Sequence, residues 1–221
     1  MNKSCQNCKT EFTITEEDTN FYTKIKVPLP TWCPKCRLQR RLIWRNERAL
    51  YSVTCTKCNQ QTFSRYETNR HTPIYCKTCW WKDDWDATEY GVEYDFSRPF
   101  FEQFRDLFNR VPKVSLSQIG MMVDSPYTNL AGNCRSCYLI FNSDYNEFCM
   151  YGTEIESSKE SVDNTMITKC ELAYENVNCL ECSRIFFSVD CESSSDLWFS
   201  KNCVGCTDCF GCVNLRNKRH H

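Results

Sequence analysis

Cys203-Val-Gly-Cys206-Thr-Asp-Cys209-Phe-Gly-Cys212 repeats a single interval of three residues, and the same register runs back through the second half of the chain. The eleven cysteines after residue 127 (134, 137, 149, 170, 179, 182, 191, 203, 206, 209 and 212) are all separated by multiples of three. Other positions in that register are small or apolar, among them Ala131, Ile140, Gly152, Ile155, Ser158, Ile167, Ala173 and Ile185. A row so uniform reads as inward-facing. A longer period overlies it. Cys149, Cys170, Cys191 and Cys212 are 21 apart, as are Ala131, Gly152, Ala173 and Ser194. Columns of like small residues at a fixed period mark a solenoid whose coils stack. The expectation is an all-β, cysteine-rich solenoid over 128–217 with coils of roughly 21 residues. A twelve-residue echo, Phe187-Ser-Val-Asp-Cys191 against Phe199-Ser-Lys-Asn-Cys203, competes with that length. Strand alternation has period two. A polyproline-II bundle has period three but demands glycine at its axis, and the chain has six glycines. Neither accounts for the triplet.

Three uses of the inward thiols stay open: small hydrophobes in a narrow core, a soft-metal or iron–sulfur site on the 203–212 run, and disulfides. The chain stops at Asn217-Lys-Arg-His-His without an amphipathic cap, which reads as a truncation or as a docking surface.

The remaining eight cysteines follow a different rule. Cys5, Cys8, Cys33 and Cys36 form two CxxC pairs, and Cys55, Cys58, Cys76 and Cys79 form two more. A two-residue spacer folds into a tight turn that aims both sulfurs at one point, and four thiolates suit tetrahedral Zn²⁺. The expected cofactors are two structural zinc ions. Phe12 and Ile14 alternate like a strand, Phe21–Val27 reads as a second strand, and Pro28 and Pro30 precede the Cys33-Pro-Lys-Cys36 knuckle. Knuckle, hairpin, knuckle and helix is a treble-clef order. The second module, with 17 residues between its knuckles against 24, is a shortened copy. His71 lies in its connection and reads as a loop residue, because four cysteines already fill the site.

The pattern C-x-x-C-x-x-x-F, then F-Y, then P-x-x-C-P-x-C-R, carried by Cys5, Cys8, Phe12, Pro30, Cys33, Cys36 and Arg37, resembles a family of probable zinc-ribbon domains found in uncharacterised bacterial proteins. The likeness spans about the first 45 residues. More loosely, the order of paired knuckles, a Trp/Asp-rich segment and a cysteine-rich C-terminal part resembles a group of such proteins. The resemblance implies metal binding and no activity.

Downstream of the first knuckle pair, Arg37, Arg40, Arg41, Trp44, Arg45 and Arg48 follow helical spacing and would share one face, with Leu38 and Leu42 packed beside the hairpin. Arginine suits bidentate phosphate contacts and tryptophan can stack on a base. The bland alternative is a solvated face paired with the chain's own acids. Residues 1–127 hold 19 Lys+Arg against 15 Asp+Glu, and residues 128–221 hold 8 against 13. The sign therefore changes where the cysteine pattern changes. The expected domains are 1–50 (zinc module with basic helix), 51–82 (second zinc module), 83–127 (aromatic bridge and amphipathic helix) and 128–217 (solenoid), an α+β tandem followed by an all-β array. In the bridge, Ser97 reads as a helix N-cap. Phe100, Phe101, Phe104, Leu107, Phe108 and Val111 read as a buried face covering the open end of the solenoid.

Met1-Asn-Lys-Ser has no apolar leader, and no run approaches the ~18 apolar residues of a membrane helix. The reading is cytoplasmic, with no membrane. No Ser/His/Asp or Cys/His set is apparent, so catalysis is not expected. The leading function is nucleic-acid binding, RNA or ribonucleoprotein favoured, through residues 37–48, with a protein partner possible at the acidic solenoid. The alternatives are a protein-interaction scaffold and a soft-metal or redox protein using the ladder.

Overall fold

The computed structural model describes residues 1–67 and 72–221, in two compact units, Met1–Asn46 and Glu47–His221.

In the first unit, β1 (Asn2–Ser4) and β2 (Glu11–Thr13) form an antiparallel hairpin with the first knuckle as its loop. Residues 21–27 do not form the expected strand. Helix α1 (Glu16–Lys24) occupies most of them. Its start is a capping box, in which Thr15 accepts from the Asp18 N–H and Asp18 accepts from the Thr15 N–H, and Glu16, Glu17 and Asp18 face the positive end of the dipole. That local chemistry outweighs the strand preference of Phe21, Tyr22, Ile25 and Val27. Helix α2 (Pro34–Leu42) follows the second knuckle, and the unit's apolar core is little more than Cys5, Ile14, Cys33 and Cys36 with Phe12 and Trp32 against them.

The second unit opens with a near copy. Strands β3 (Tyr51–Thr54) and β4 (Gln61–Ser64) form a hairpin around Cys55–Cys58. A short strand, β5 (Ile74–Tyr75), leads to Cys76 and α3 (Lys77–Trp80). Trp80, Trp85 and Tyr75 then cluster, with the Trp85 indole donating to the Trp80 carbonyl. Helix α4 (Phe100–Arg110) begins after Pro99 rather than at Ser97, whose N–H and hydroxyl both donate to Asp95. Its phenylalanine face is not buried as expected. Phe100, Phe101, Phe104 and Phe108 all lie exposed, Phe101 at 81%. What covers the first solenoid turn is the second Cys₄ module. Strand β6 (Lys113–Val114) pairs with β5, Arg65 donates to the Ser115 carbonyl, Lys77 to the Gly120 carbonyl, and Phe63 packs on Tyr127.

Beyond Ser117 the chain winds into a parallel β-solenoid of about eight turns. The turn is twelve residues, not 21. Tyr138 pairs with Met150, Ile155 with Ile167, Ile185 with Leu197, and Leu197 with Cys209. The 21-residue columns arise because 21 is one turn plus three triplets, so they step from one wall to another. Four triplets close each turn. Every third residue from Leu130 to His220 has positive φ, and apart from Gly205 and Gly211 these values lie between 45° and 58°. A left-handed residue bends the chain, the next residue points inward and the one after it points out. This is the physical origin of the triplet.

A left-handed conformation costs an L-residue roughly 1–2 kcal/mol, so the bends need compensation. They receive it from a continuous hydrogen-bond lattice. Each bend residue's N–H donates to the carbonyl thirteen residues earlier, as Phe148 to Arg135 and Phe187 to Tyr174, both at 3.0 Å. Each outward residue before it donates to the carbonyl eleven residues later, as Lys159 to Cys170 at 2.9 Å. Asn and Asp, which tolerate this conformation best after glycine, hold many of the bends, including Asn178, Asp190, Asn202 and Asn214. Leu172, at a bend and 40% exposed, gives a direct test. Leu172→Val is expected to lower stability by about 1–2 kcal/mol, since a β-branched residue resists positive φ. Leu172→Asn is expected to be neutral or stabilising. Urea midpoints are expected to fall below the wild type for the valine variant and at or above it for the asparagine variant; equal loss in both would contradict the account.

The inward row fills a core with little room. Most turns carry one bulky aliphatic residue (Ile140, Ile155, Ile167, Ile185, Leu197) and otherwise small ones, each of the five aliphatics fully buried. The inward N–H groups point along the axis, and small polar side chains one turn earlier receive them. Cys170 donates to Ser158 Oγ, Ser188 to Asn176 Oδ1, Ser200 to Ser188 Oγ and Cys206 to Ser194 Oγ.

Candidate metal centres

Each Cys₄ group is assembled from a hairpin loop and a helix start. In the first knuckle Lys9 takes positive φ, its N–H donating to the Cys5 carbonyl at 2.9 Å, and Asn59 repeats both features against Cys55 at 2.9 Å. Cys33 and Cys76 are the N-caps of α2 and α3, with φ −64° at both and ψ 162° and 163°. Backbone N–H groups aim at sulfur, Cys33 N to Cys5 Sγ at 3.2 Å and Cys76 N to Cys55 Sγ at 3.3 Å. The Asn7 amide adds a contact to Cys36 Sγ at 3.4 Å, which the spacing of cysteines did not announce.

Within each group the four sulfurs all lie within 4.8 Å of one another. The Cys8–Cys33 and Cys58–Cys76 separations are 3.7 and 3.9 Å. A tetrahedron with bonds of about 2.3 Å places its sulfurs about 3.8 Å apart. The groups therefore could hold a metal ion. Thiol acidity points the same way. Burial opposes ionisation of Cys5, but the N–H groups of Cys33, Cys8 and Asn7 outweigh it and bring the thiol down to about 6. Cys55 reaches about 6 by the same balance, burial against the N–H groups of Cys76, Cys58 and Lys57. The Asn7 amide favours the Cys36 thiolate, yet Cys8, burial, Cys33 and Cys5 push it up to about 11. Burial and three neighbouring thiols push Cys79 up to about 12. Four thiolates this close need a cation among them to ionise together.

The ladder thiols are placed differently. Among the described residues, no three of them lie within 4.8 Å of one another. Each is instead a hydrogen-bonding core residue. Cys149 Sγ donates to the carbonyls of Glu147 and Ser158, both at 3.4 Å, and Cys203 Sγ to those of Lys201 and Cys212, both at 3.5 Å. Cysteine here does what serine does at Ser188 and Ser200. None of the nineteen cysteines is joined in a disulfide.

The arginine stripe is not one helical face. Helix α2 stops at Leu42, and Trp44 and Arg45 donate to the carbonyls three residues back, a tighter turn than the helix. Leu38 and Leu42 are about half exposed rather than packed, so nothing holds a longer helix in place. Arg37 donates to the Tyr22 hydroxyl at 2.7 Å, and Arg40 lies over the Trp32 ring at 5.2 Å. Arg41 and Arg45 are exposed, and Trp44 is 81% exposed. Arg48 belongs to the other unit, over the Phe141 ring and donating to the Thr153 hydroxyl. His71 lies outside the described residues.

No described helix is long and apolar enough to cross a membrane. No protein-family model, curated protein or solved structure matches the chain.

Proposed function

We propose that the chain is a zinc protein that binds nucleic acid, RNA favoured, through its first unit. Zinc is the ion the all-sulfur donor sets suit, held by Cys5, Cys8, Cys33 and Cys36 and by Cys55, Cys58, Cys76 and Cys79. These sets are coordinatively closed, the structural kind. The observation that carries the reading is charge with exposure. Residues 1–46 hold nine Lys+Arg against four Asp+Glu, and Trp44 stands 81% exposed among Arg40, Arg41 and Arg45. Basic side chains neutralise phosphate and an exposed indole stacks on any base, a combination suited to single strands. The ladder cysteines donate to backbone carbonyls instead of pairing as disulfides, which suits a reducing compartment, the cytoplasm.

Labelled RNA and DNA titrated across a salt series give the test. The intact protein is expected to bind RNA with a steep salt dependence. Arg40→Glu/Arg41→Glu/Arg45→Glu is expected to bind at least about tenfold more weakly with a flatter slope, and Trp44→Ala to weaken binding without changing the slope. A folded, two-zinc protein that fails to bind at low salt would sink the reading. The scaffold reading would then lead, favoured by the exposed phenylalanine face of α4.

A further inference from the structure

One exterior wall of the solenoid carries a large apolar residue at every turn. Tyr138, Met150 and Val162 stack in register in its lower half, and Tyr174, Phe186, Trp198 and Phe210 continue the column. Tyr151, Phe187 and Phe199 widen it from neighbouring bends.

The ring geometry restricts what this wall can receive. Phe186 and Trp198 stack at 4.2 Å with planes 21° apart, and Phe187 and Phe199 at 4.9 Å with planes 4° apart. These two pairs cover each other's faces, while Tyr138 and Tyr151, Tyr174 and Phe187, and Phe199 and Phe210 meet edge to face, so much of the ring area on the wall is spent on neighbouring rings. A sugar or base needs a free ring face, and the paired rings spend theirs on one another. What is left exposed is an apolar, ridged surface suited to another such surface. Its extent is also informative. Tyr138, Met150 and Tyr174 are 36–38% exposed, and Tyr151, Trp198, Phe199 and Phe210 are 42–68% exposed. With roughly 200 Å² per large side chain, the wall offers about 700 Å². A standard stable interface buries about 800 Å² per partner.

We propose that this wall pairs two copies of the chain, side by side and antiparallel. The sizes of the residues give the direction. The lower half is slim at Met150 and Val162, and the upper half is bulky at Phe186 and Trp198. A two-fold axis at Tyr174 sets Trp198 against Met150 and Phe186 against Val162 on each side of the axis, so the bulkiest residues meet slimmer ones, and Phe210 meets Tyr138 ring to ring at the outer ends. A parallel pair sets Trp198 on Trp198 and leaves Val162 facing Val162. The pairing is independent of the nucleic-acid reading, which concerns the first unit.

Sedimentation equilibrium of the intact, metal-loaded protein at micromolar concentration tests it. The wild type is expected to dimerise. Trp198→Glu/Phe210→Glu is expected to weaken association at least about 30-fold, with the wild-type far-UV spectrum retained. Phe101→Glu/Phe104→Glu on α4 is expected to leave the dimer intact. A photo-crosslinking phenylalanine at position 198 is expected to capture residues around Met150 of the second copy. A wild type monomeric across the range overturns the proposal, as does a dimer lost only in the α4 variant. Capture of position 198 by position 198 overturns the antiparallel arrangement.

Discussion

Replacing Asn176 by leucine is expected to cost the solenoid about 3–5 kcal/mol. Leucine has the same branching and the same number of side-chain heavy atoms as asparagine, so the shape is largely kept. Hydrogen bonding changes a great deal. Asn176 is 1% exposed, donates through Nδ2 to the Ile185 carbonyl at 2.9 Å, and accepts the Ser188 N–H through Oδ1 at 2.9 Å. It also takes part in a ladder with Asn164 Oδ1, at 3.0 Å from Nδ2 and 2.9 Å from its own backbone N. Leucine leaves a donor and an acceptor stranded where water does not reach, and each stranded group costs about 1–3 kcal/mol. Asn176→Ser separates this from general damage. A serine hydroxyl can take the N–H of the next turn, as Ser188 does for Ser200, so that variant is expected to lose only about 1–2 kcal/mol. Urea unfolding followed by far-UV circular dichroism measures both. A leucine variant as stable as the wild type would mean that the axial N–H groups are not what the inward polar residues serve.

Metal removal is expected to have the other large effect. The first unit has 46 residues, and its fully or mostly buried apolar side chains are Cys5, Ile14, Cys33 and Cys36. That core cannot offset the chain entropy of so many residues. A structural Zn²⁺ contributes about 10–16 kcal/mol in comparable small peptides. Chelation with EDTA is therefore expected to melt α1 and α2 while the solenoid's β signal persists, because the ladder thiols donate to backbone carbonyls and no three of them cluster. Cys36→Ser is expected to release one metal equivalent, measured by atomic emission, and to leave the second in place. Retained helix signal in metal-free protein would contradict the account, and loss of the β signal on chelation would assign metal to the ladder.

The grouping of the eight N-terminal cysteines into two Cys₄ clusters was legible because CxxC spacing is itself a geometric statement, needing no tertiary context. The inward row was legible for a similar reason: small residues in a strict register suit a narrow interior and little else. Its coil length was not. Cys, Ser, Ala and Gly substitute for one another along the row, so Cys149, Cys170 and Cys191 form a column in sequence without sharing a wall. The dependable signal was the echo at Phe187 and Phe199, bend residues whose rings touch across a single turn. The arginines do not share one face, because helical spacing says which residues would share a face, not whether anything holds the helix beyond Leu42. The phenylalanines of α4 failed for the converse reason. Their pattern showed an apolar face and was silent on whether a partner within the chain would meet it. Thr15 and Asp18 spelled a helix start, and the β-branched and aromatic residues beyond them drew the reading toward a strand.

The twelve-residue turn has a consequence for how such a chain can change length. Each wall is three residues and each storey four walls, so an insertion or deletion of twelve residues adds or removes one storey, about 4.8 Å, and every residue above keeps its compass bearing. A change of three or six residues keeps inside in and outside out but swings all later storeys by a quarter or a half revolution, carrying Trp198 and Phe199 away from the side on which Tyr138 stands. A change of one or two residues turns the row that includes Cys203, Cys206 and Cys209 out toward solvent. The wall is thus a phase-locked record, open to growth in whole storeys and closed to almost everything else.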